Sequence, residues 1–582
     1  MTTTRSGFTK LAAVCIAILL GAVVWELGWP LTRAEHEWSR LIAAVATLGH
    51  LTGILGSYFR KEINRPSLRL LIFQIISCLM IFLLIAREQQ EAGYMRFTEL
   101  SRLVITAGLI AIPTLMSLTR IFKWLVGKQK KGRPLMAPAM QFVASLGVVI
   151  LAGTGLLLLP NSTYPGITLS FTDALFTSTS AVCVTGLNAV DFAHTFTPLG
   201  EMFTLALIQI GGFGIMTFAY FVAMVAGQGF SLRDRVLLTD LLDEDNLGAV
   251  VSFITTIVVS TLFIELCGAV LLYFSWEGKD INLMGEPLWW HSLFHSVSAF
   301  CNAGFSTFPM NLMEPGIRLC YSGQAVIMAL IVCGGLGFGI YKEINSRLAN
   351  RFFSKHRRLH MQWTPYFKLV MISTGILLAG GALAIFAVSS PHAAEPLGEH
   401  LWICLFDSVT ARTAGFNISD YSRYLPAASL IMCGLMMVGG SPGGTAGGMR
   451  TTTCAIAGAE ILRILRGRDH VEFFRRRIDQ RTVARCVITV VVSCAWIGCF
   501  TVLICALEPS MSSLDIFFEN CSAFATVGVS RGIPPDLSGP SKYLLIVNML
   551  SGRVGLFAFL IALAGTPTPR HYRYPSVKIP LT

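Results

Sequence analysis

Four short stretches of the sequence share a Phe, a Ser/Thr-Ala pair and, near the end, a Gly followed by an apolar residue. They are LFTSTSAVCVTGL (175–187), LFHSVSAFCNAGF (293–305), LFDSVTARTAGF (405–416) and FFENCSAFATVGV (517–529). One such Gly is typical of a helix C-cap, but four at equivalent places between apolar segments predict a shared task. Glycine lets the backbone approach an ion closely, and backbone carbonyls can replace the hydration shell of a cation.

The last four residues of each stretch are the predicted ion-coordinating positions. None is charged, so we expect carbonyl oxygens to coordinate the ion. The partially negative C-terminus of the preceding half-helix favours a cation at the same point. The predicted positions are Val184, Thr185, Gly186, Leu187, Asn302, Ala303, Gly304, Phe305, Thr413, Ala414, Gly415, Phe416, Thr526, Val527, Gly528 and Val529.

A second glycine-rich run, VGGSPGGTAGGMRTTT (438–453), interrupts a later apolar segment. It lacks the G-K-[ST] of a phosphate-binding loop. Its GGSPG matches the letters of a nucleophile elbow, but that motif needs a strand-to-helix turn in an α/β sheet, so we take the match as chance. A helix kink and an unwound stretch that lines a cavity remain as alternatives. The residues concerned are Gly439, Gly440, Ser441, Pro442, Gly443, Gly444, Thr445, Ala446, Gly447 and Gly448.

Several ionisable residues lie near these motifs. Arg553, in the last apolar segment, either pairs or snorkels, or faces the ion path, since an unpaired charge there is costly. We expect Arg412 to clamp nearby carbonyls and carboxylates, and Asp407 to be structural. Asp173 and Glu519 are loop clamps or concentrate cations at the pore mouth. Glu265 is a candidate partner for a buried donor, and His50, His291 and His295 lack metal-ligand spacing.

The composition shows which elements must position these residues. Of 582 residues, 53% are hydrophobic and 13% are charged, with mean hydropathy +0.63. Soluble domains carry about 25% charged residues, so we predict an all-α polytopic membrane protein. The net charge of +12 reflects membrane topology and not nucleic-acid binding. The 15 cysteines form no zinc-type cluster.

Four apolar segments near 8–29, 41–58, 68–86 and 103–119 precede a basic stretch at 120–133, and eight longer ones follow, among them 318–341 and 540–565. Together with the glycine stretches they predict four tandem helix–pore-loop–helix repeats, preceded by about four transmembrane helices. The glycines recur about every 112 residues, too long a period for a solenoid. Lys and Arg concentrate in alternate loops, which places both termini in the cytoplasm. The predicted divisions are an extension at 1–134, repeats at 135–246, 247–362, 363–478 and 479–567, and a cytoplasmic tail at 568–582.

From about residue 135 to the end, the sequence resembles the Trk/Ktr/HKT superfamily of K⁺ transporters, and is closest to the KtrB/TrkH membrane subunits. The resemblance rests on the four glycine stretches with TAGF and TVGV, and on LIQIGGFGIMT (207–217), GGLGFGIYKEI (334–344), the glycine-rich run, GRVGLF (552–557) and YRYPSVKIPL (572–581). Arg450 and Gly444 depart from the family's usual Lys and Ser, and residues 1–134 resemble nothing assigned.

The resemblance implies a K⁺-conducting subunit in a bacterial inner membrane, multi-pass, paired as a homodimer in the lipid bilayer. It implies a soluble nucleotide-binding regulatory ring on the cytoplasmic face, with no nucleotide site on this chain. Glycine at all four filter positions goes with K⁺ preference in the family, whereas Ser at the first goes with Na⁺ transport. It also makes residues 439–448 an intramembrane gate, with Arg553 beneath the filter.

Parts of the sequence are also compatible with three other functions. A Na⁺-coupled or Na⁺-conducting transporter of the same fold stays open. A solute cotransporter with broken helices is disfavoured, because such folds usually repeat twice in inverted orientation. An intramembrane enzyme is disfavoured because there is no HExxH motif and HSLFHS alone forms no triad.

Overall fold

The computed structural model describes residues 138–214, 250–353, 363–389 and 396–564, with scattered positions between residues 14 and 52. The regular secondary structure in these ranges is helical apart from one short hairpin. The predicted segments 68–86 and 103–119, the basic stretch 120–133, His50 and the tail 568–582 lie outside the described residues.

We divide the helices, in chain order, into four groups, each with a half-helix between two other helices. Group one contains α1 (Pro138–Leu157), α2 (Phe171–Cys183), α3 (Phe192–Thr195) and α4 (Pro198–Phe213). Group two contains α5 (Val250–Trp276), α6 (Leu288–Cys301), α7 (Pro315–Arg318), α8 (Tyr321–Gly335) and α9 (Phe338–Phe353).

The other two groups follow the same order. Group three contains α10 (Pro365–Val388), α11 (Leu397–Thr410), α12 (Pro426–Met437) and α13 (Thr451–Leu465). The strands β1 (Glu472–Phe473) and β2 (Arg476–Arg477) pair antiparallel. Group four contains α14 (Gln480–Leu507), α15 (Ser513–Ala525), α16 (Gly539–Val554) and α17 (Leu556–Ala564). Short 3₁₀ turns cover Pro160–Ser162, Asn311–Met313, Tyr421–Arg423 and Pro534–Asp536.

The half-helices α2, α6, α11 and α15 are too short to cross a membrane. Each has 13 or 14 residues, which is about 20 Å of helix against the ~30 Å of a bilayer core. Local sequence sets the start of α2, where the Ser170 hydroxyl accepts from the Asp173 N–H at 3.1 Å and caps the helix. A half-helix can therefore deliver its C-terminus to the middle of the membrane.

Three described helices are long and apolar enough to span a membrane, within α5, α10 and α14. The pair α8–α9 makes a fourth span if both parts are counted as one. These helices expose large apolar side chains, including Phe263 on α5, Ile376 on α10 and Val502 on α14. Such an outer surface is stable in lipid and not in water.

Two predicted segments are interrupted where continuous helix was expected. The segment 318–341 ends as α8 at Gly335 and resumes as α9 at Phe338, bent by 93°. Gly337 between them has φ +89°, which breaks the helical hydrogen-bond ladder. The segment 540–565 likewise breaks at Gly555, with φ +90°.

The half-helices lie in the interior of the bundle. Helix α2 packs on α1 and α4 of its own group and on α16 of group four, while α6 packs on α4, α5 and α8. Helix α15 packs on α12, α14 and α16. Group four therefore contacts group one, and the groups enclose a common centre.

Candidate functional site

Each of the four repeated glycines lies against the loop of the next repeat, and the last lies against the first. A Cβ built on Gly186 would lie 2.3 Å from the Ala303 carbonyl oxygen, and one on Gly304 would lie 2.7 Å from Gly415 Cα. A Cβ on Gly415 would lie 2.8 Å from the Val527 oxygen, and one on Gly528 would lie 2.0 Å from the Thr185 oxygen. The four loops therefore form a closed ring, in which the backbone of one loop occupies the side-chain space of the next.

Each loop has the same backbone turn before its glycine. The residue two positions earlier is left-handed in every loop: Val184, Asn302, Thr413 and Thr526, with φ of 58°, 61°, 76° and 51°. The glycines also have positive φ, between 70° and 92°. In groups one, two and four, two N–H groups after the half-helix donate to its last free carbonyls, as in Thr185 N–H to Ser180 O at 2.7 Å. The third loop differs, since α11 ends at Thr410 and leaves two residues, Ala411 and Arg412, before Thr413.

The Ser or Thr of each Ser/Thr-Ala pair holds its loop from within the half-helix. The hydroxyls of Ser180 and Ser522 accept from the N–H groups of Gly186 and Gly528, at 3.0 and 3.1 Å. In the other two loops the hydroxyl donates to the carbonyl after the glycine, from Ser298 to Phe305 at 2.8 Å and from Thr410 to Phe416 at 2.6 Å. Sequence reasoning noted this pair but assigned it no role, although its presence in all four stretches was the available signal.

The other loop positions are buried. Val184, Thr185, Leu187, Asn302, Ala303, Phe305, Thr413, Ala414, Phe416, Thr526, Val527 and Val529 are each at most 1% exposed. The Asn302 side-chain amide lies 3.3 Å from the Thr413 hydroxyl. The Thr185 and Thr526 hydroxyls have no hydrogen-bond partner among the described residues. All sixteen predicted positions thus lie in one neutral, buried cluster that offers backbone and hydroxyl oxygens.

The glycine-rich segment, residues 438–450, is a loop whose two ends hold each other. Helix α12 ends at Met437 and α13 begins at Thr451. The Gly439 N–H donates to the Met449 carbonyl at 2.8 Å, and the Thr451 N–H donates to the Gly440 carbonyl at 3.0 Å. The sequence left a kink and an unwound stretch open, and the structure has an unwound stretch of thirteen residues between the two helices.

This loop fills the break between α8 and α9. The N–H groups of Ser441 and Thr445 donate to the carbonyls of Gly335 and Gly334, at 3.0 and 3.3 Å, and the Phe338 N–H donates to the Gly443 carbonyl at 3.0 Å. These bonds satisfy backbone groups that the kink frees, which would otherwise be costly at membrane depth. The Tyr366 hydroxyl at the start of α10 adds a bond to the Pro442 carbonyl at 2.9 Å. Loop and kink are therefore one hydrogen-bonded unit.

The same loop also touches the half-helix ends directly. The Thr445 hydroxyl donates to the Phe300 carbonyl near the end of α6 at 3.3 Å. A Cβ on Gly447 would lie 2.1 Å from the Thr526 hydroxyl, and one on Gly448 would lie 3.1 Å from Ala525 Cα. Residues 438–450 thus lie against the glycine ring, at the ends of the half-helices of groups two and four.

Two arginines bind the carbonyls of this loop. Arg553, in the last turn of α16, donates one guanidinium N–H to the Thr445 carbonyl and another to the Gly211 carbonyl of α4. Arg450 donates to the Ala446 carbonyl at 2.5 Å. Positive charge is therefore concentrated beside the glycine ring, on the side of the glycine-rich loop.

The acidic residues at the half-helices are held by donors. Asp407 is fully buried and accepts from the hydroxyls of Tyr421, at 2.8 Å, and Tyr424. Asp173 pairs with Lys542 of group four at 2.8 Å. Glu519 accepts from the Ser530 hydroxyl and the Arg531 N–H, both at 2.7 Å. Each ties one segment to another, and this is the clamping role that the sequence left open for Asp173 and Glu519.

The clamp expected from Arg412 is not found. Its side chain is 7% exposed and makes no hydrogen bond to a described carbonyl or carboxylate. The nearby carboxylate, Asp407, already accepts from two tyrosines. Arg412 instead lies buried in the longer turn that follows the early end of α11.

Glu265, His291 and His295 each have a hydrogen bond to an uncharged side chain, and His291 also lies 3.9 Å from the Glu286 carboxyl. The Glu265 carboxyl on α5 accepts from the Gln209 amide at 3.1 and 3.2 Å, and from the Cys301 thiol. His291 contacts the Thr307 hydroxyl at 2.6 Å, and His295 contacts the Ser306 hydroxyl at 2.9 Å. Among the described residues no group of three or more His, Cys, Asp and Glu side chains could hold a metal ion.

In this chain, half-helices surrounded by apolar spanning helices end in a ring of backbone oxygens. This arrangement is that of a membrane transport protein. The family described as "Cation transport protein", TrkH, matches residues 104–574. The chain belongs to this family, which is one of transporters and not of enzymes. The match begins inside the predicted extension 1–134, and includes its last apolar segment.

The chain is also similar to individual proteins. It is 34% identical to the Ktr system potassium uptake protein B of Bacillus subtilis (strain 168) over 74% of this chain and 94% of that protein. It is 34% identical to the protein of the same name of Vibrio alginolyticus, over 75% and 93%. It is 32% identical to the potassium/sodium uptake protein NtpJ of Enterococcus hirae, over 78% and 99%. The crystal structure of the potassium transporter TrkH from Vibrio parahaemolyticus has the same fold, with TM-score 0.57 and 16% identity over 96% of this chain and 99% of that one. The family resemblance seen in the sequence is therefore confirmed.

Proposed function

We propose that this protein is the ion-conducting membrane subunit of a K⁺ uptake system, and that the four glycine loops select K⁺ through their backbone carbonyls. The closed ring of Gly186, Gly304, Gly415 and Gly528 carries this proposal, because it brings uncharged backbone from four half-helix ends together. Carbonyl dipoles in such a ring can replace ion hydration without side-chain charge. Three relatives named as potassium uptake proteins support the choice of ion.

The proposal includes four tandem repeats around one pore, with about four further helices before residue 135. It places the protein in a bacterial inner membrane with both termini in the cytoplasm. The four helix groups and their ring support the repeats. The excess of Lys and Arg in alternate loops supports the orientation.

The glycine-rich loop, residues 438–450, is proposed as the gate, with Arg553 as the charge that holds it. Its contacts with Phe300 and Thr526 at the half-helix ends support a position in the ion path. A guanidinium beside that path repels cations, and its bonds to Thr445 and Gly211 join the loop to α4. Shortening the loop should therefore raise K⁺ flux, and a shortened loop with unchanged flux would contradict the gating role.

Partners follow from the family and not from the described residues. We propose a homodimer in the bilayer and a soluble nucleotide-binding ring on the cytoplasmic face, with no nucleotide site on this chain. The basic segments 342–368 and 450–485 are on the face proposed to receive the ring.

Na⁺ transport is the second candidate. The similarity to a protein named for both potassium and sodium uptake supports it. Selection of K⁺ by carbonyls does not itself require Na⁺, so coupling to Na⁺ would be an additional property.

Ion flux from purified protein in liposomes tests the function. We expect ⁸⁶Rb⁺ uptake that excess K⁺ inhibits strongly and excess Na⁺ inhibits weakly. Gly186→Ser should reduce this discrimination, because its Cβ would lie 2.3 Å from the Ala303 oxygen and force the first loop away from the second. Equal inhibition by both ions in the unmodified protein would favour the Na⁺ alternative, and an unchanged ratio in the variant would contradict the filter assignment.

A further inference from the structure

A short β-hairpin between groups three and four carries three consecutive arginines at its turn. We call residues 471–478 the arginine hairpin. Strand pairing joins Glu472 to Arg477 and Phe473 to Arg476. The turn residues Phe474 and Arg475 have φ of 51° and 63°, as in a tight two-residue turn. Val471 at the base is buried, and its carbonyl accepts from Ile478 N–H at 3.0 Å. The turn is therefore held in one shape by the structure around it.

The tip of this hairpin is positively charged and without internal partners. Arg475, Arg476 and Arg477 are exposed, and none makes a side-chain hydrogen bond or ion pair with a described residue. The ring of Phe474, between the strands, is also exposed. A guanidinium offers several N–H donors in a fixed plane, which suits a phosphate. Three of them beside an exposed aromatic ring indicate an amphipathic anionic ligand.

The hairpin lies against the foot of a spanning helix. The Lys368 ammonium, in the first turn of α10, is 5.8 Å from the Phe474 ring centre. At the start of α10, the Trp363 and Phe367 rings stack with their centres 4.0 Å apart. The Arg347 guanidinium lies 3.7 Å from the Trp363 ring centre. Aromatic and basic side chains concentrate at the boundary between lipid and water.

Lipid-facing side chains begin immediately above this cluster. Met371 and Ile372, three and four residues after Lys368 on α10, are exposed, as is Ile376 one turn later. A phospholipid bound with its phosphate at the arginine hairpin would lay its acyl chains on these residues. A soluble protein would contact the charged tip but would have no access to this apolar surface within the bilayer.

We propose that the arginine hairpin, with Lys368 and Trp363, binds the phosphate headgroup of an anionic phospholipid in the leaflet on the side of the glycine-rich loop. Basic residues at a membrane surface attract anionic lipid, and the hairpin adds a fixed geometry to that attraction. Helix α13 begins at the end of the glycine-rich loop and ends six residues before this hairpin. A lipid bound at the hairpin would therefore anchor the C-terminal end of α13. This inference requires a membrane location but not K⁺ selectivity.

The test measures lipid binding by the purified full chain in detergent, without an ion gradient. Thermal unfolding is followed during titration with phosphatidylglycerol, with phosphatidylcholine and with inorganic phosphate, and native mass spectrometry counts retained lipids. We expect phosphatidylglycerol to raise the unfolding temperature more than the other two. The triple variant Arg475→Gln/Arg476→Gln/Arg477→Gln should lose roughly 100-fold in apparent affinity, since each basic residue contributes at an anionic surface.

The control removes the same number of charges from exposed positions near the hairpin in sequence but outside it. Arg466, Arg468 and Arg481 are exposed, and their triple Gln variant should keep most of the phosphatidylglycerol effect. Phe474→Ala should weaken the lipid effect while all three charges remain. Unfolding temperatures without lipid show whether each variant is folded.

Several outcomes would overturn the proposal. An equal loss in both triple variants would indicate general surface charge, and an equal effect of inorganic phosphate would indicate a free-anion site. A hairpin variant that retains full phosphatidylglycerol binding but loses a soluble regulatory partner would assign the surface to that partner. Because ⁸⁶Rb⁺ uptake is measured separately, failure here would leave the proposed transport function untouched.

Discussion

At the scale of single residues, the ring depends on small groups in confined positions. The space for a Cβ at each of the four glycines holds a neighbouring loop's backbone, at 2.0 to 2.8 Å. The hydroxyls of Ser180 and Ser522 then supply the acceptor for a glycine N–H that has no other backbone partner in the ring. Selection would therefore depend on buried hydroxyls that do not themselves contact the ion.

Replacing one of these hydroxyls should reduce ion discrimination. Ser522→Ala leaves the Gly528 N–H without its acceptor, and an unsatisfied buried donor costs about 1–3 kcal/mol. We expect the fourth loop to loosen and the K⁺-over-Na⁺ flux ratio in liposomes to fall several-fold. Ser178→Ala is the matched control, because Ser178 is in α2 and donates to the Ile150 carbonyl away from the loop. An equal fall in both variants would assign the effect to half-helix stability and not to the loop.

A buried carboxyl outside the spanning helices predicts a pH dependence of stability. Burial raises the pKa of Glu286 from its usual 4.5 to about 7, and a hydrogen bond with Glu201 partly offsets this. Between these values the folded state holds more protons than the unfolded state, so stability falls as pH rises from about 4.5 to 7. Thermal unfolding between pH 5 and 8 should show this fall, and Glu286→Gln should flatten it. A variant with the wild-type slope would exclude Glu286 as the source.

At the scale of elements, the sequence predicted the half-helices and their loops but not the unit formed by the glycine-rich loop and the kink between α8 and α9. Four copies of one stretch made the loops visible. The bend at residues 336–337 was missed because the segment is apolar on both sides of Gly337, so nothing in its periodicity changes. The bend depends on bonds from Ser441, Thr445 and Gly443, about 100 residues away. The clamp expected from Arg412 was wrong for a similar reason, since Asp407, the carboxylate nearest to it in sequence, accepts from two tyrosines of a later turn.

Weakening the attachment of the glycine-rich loop should increase basal transport. Tyr366→Phe removes the hydroxyl that donates to the Pro442 carbonyl and keeps the aromatic side chain. One hydrogen bond contributes about 1 kcal/mol, so we expect a rise of up to roughly fivefold in ⁸⁶Rb⁺ uptake when no regulatory partner is present. Tyr341→Phe is the matched control, since its hydroxyl bonds the Cys333 carbonyl at the same kink without touching the loop. Equal uptake by both variants would contradict a holding role for Tyr366.

At the scale of the whole molecule, an ion in the ring would join four parts of the chain that are far apart in sequence. A ligand that binds only the folded state stabilises it, by about 2.7 kcal/mol at one hundred times its dissociation constant. K⁺ should therefore act on the unfolding of the entire described bundle and not on one group alone.

This linkage can be measured by thermal unfolding in salts of equal ionic strength. We expect KCl to raise the unfolding temperature above that in NaCl or choline chloride. Gly528→Ala should abolish the difference, because a Cβ there would lie 2.0 Å from the Thr185 oxygen. Gly498→Ala on α14, where nothing lies within 4 Å, should preserve it. Identical unfolding temperatures in KCl and NaCl for the unmodified protein would contradict selective K⁺ binding in the ring.

The contact between Gly528 and the Thr185 backbone closes the ring between its last and first loops, and it has a consequence for biosynthesis. A chain emerging from the ribosome at ~5–20 residues per second completes its amino-terminal parts first. The first three loops are then in place for many seconds before α15 exists, with the ring open on one side. Translation that stops before Ser513 would insert an incomplete pore, so quality control of this protein should recognise the missing fourth group and degrade such products.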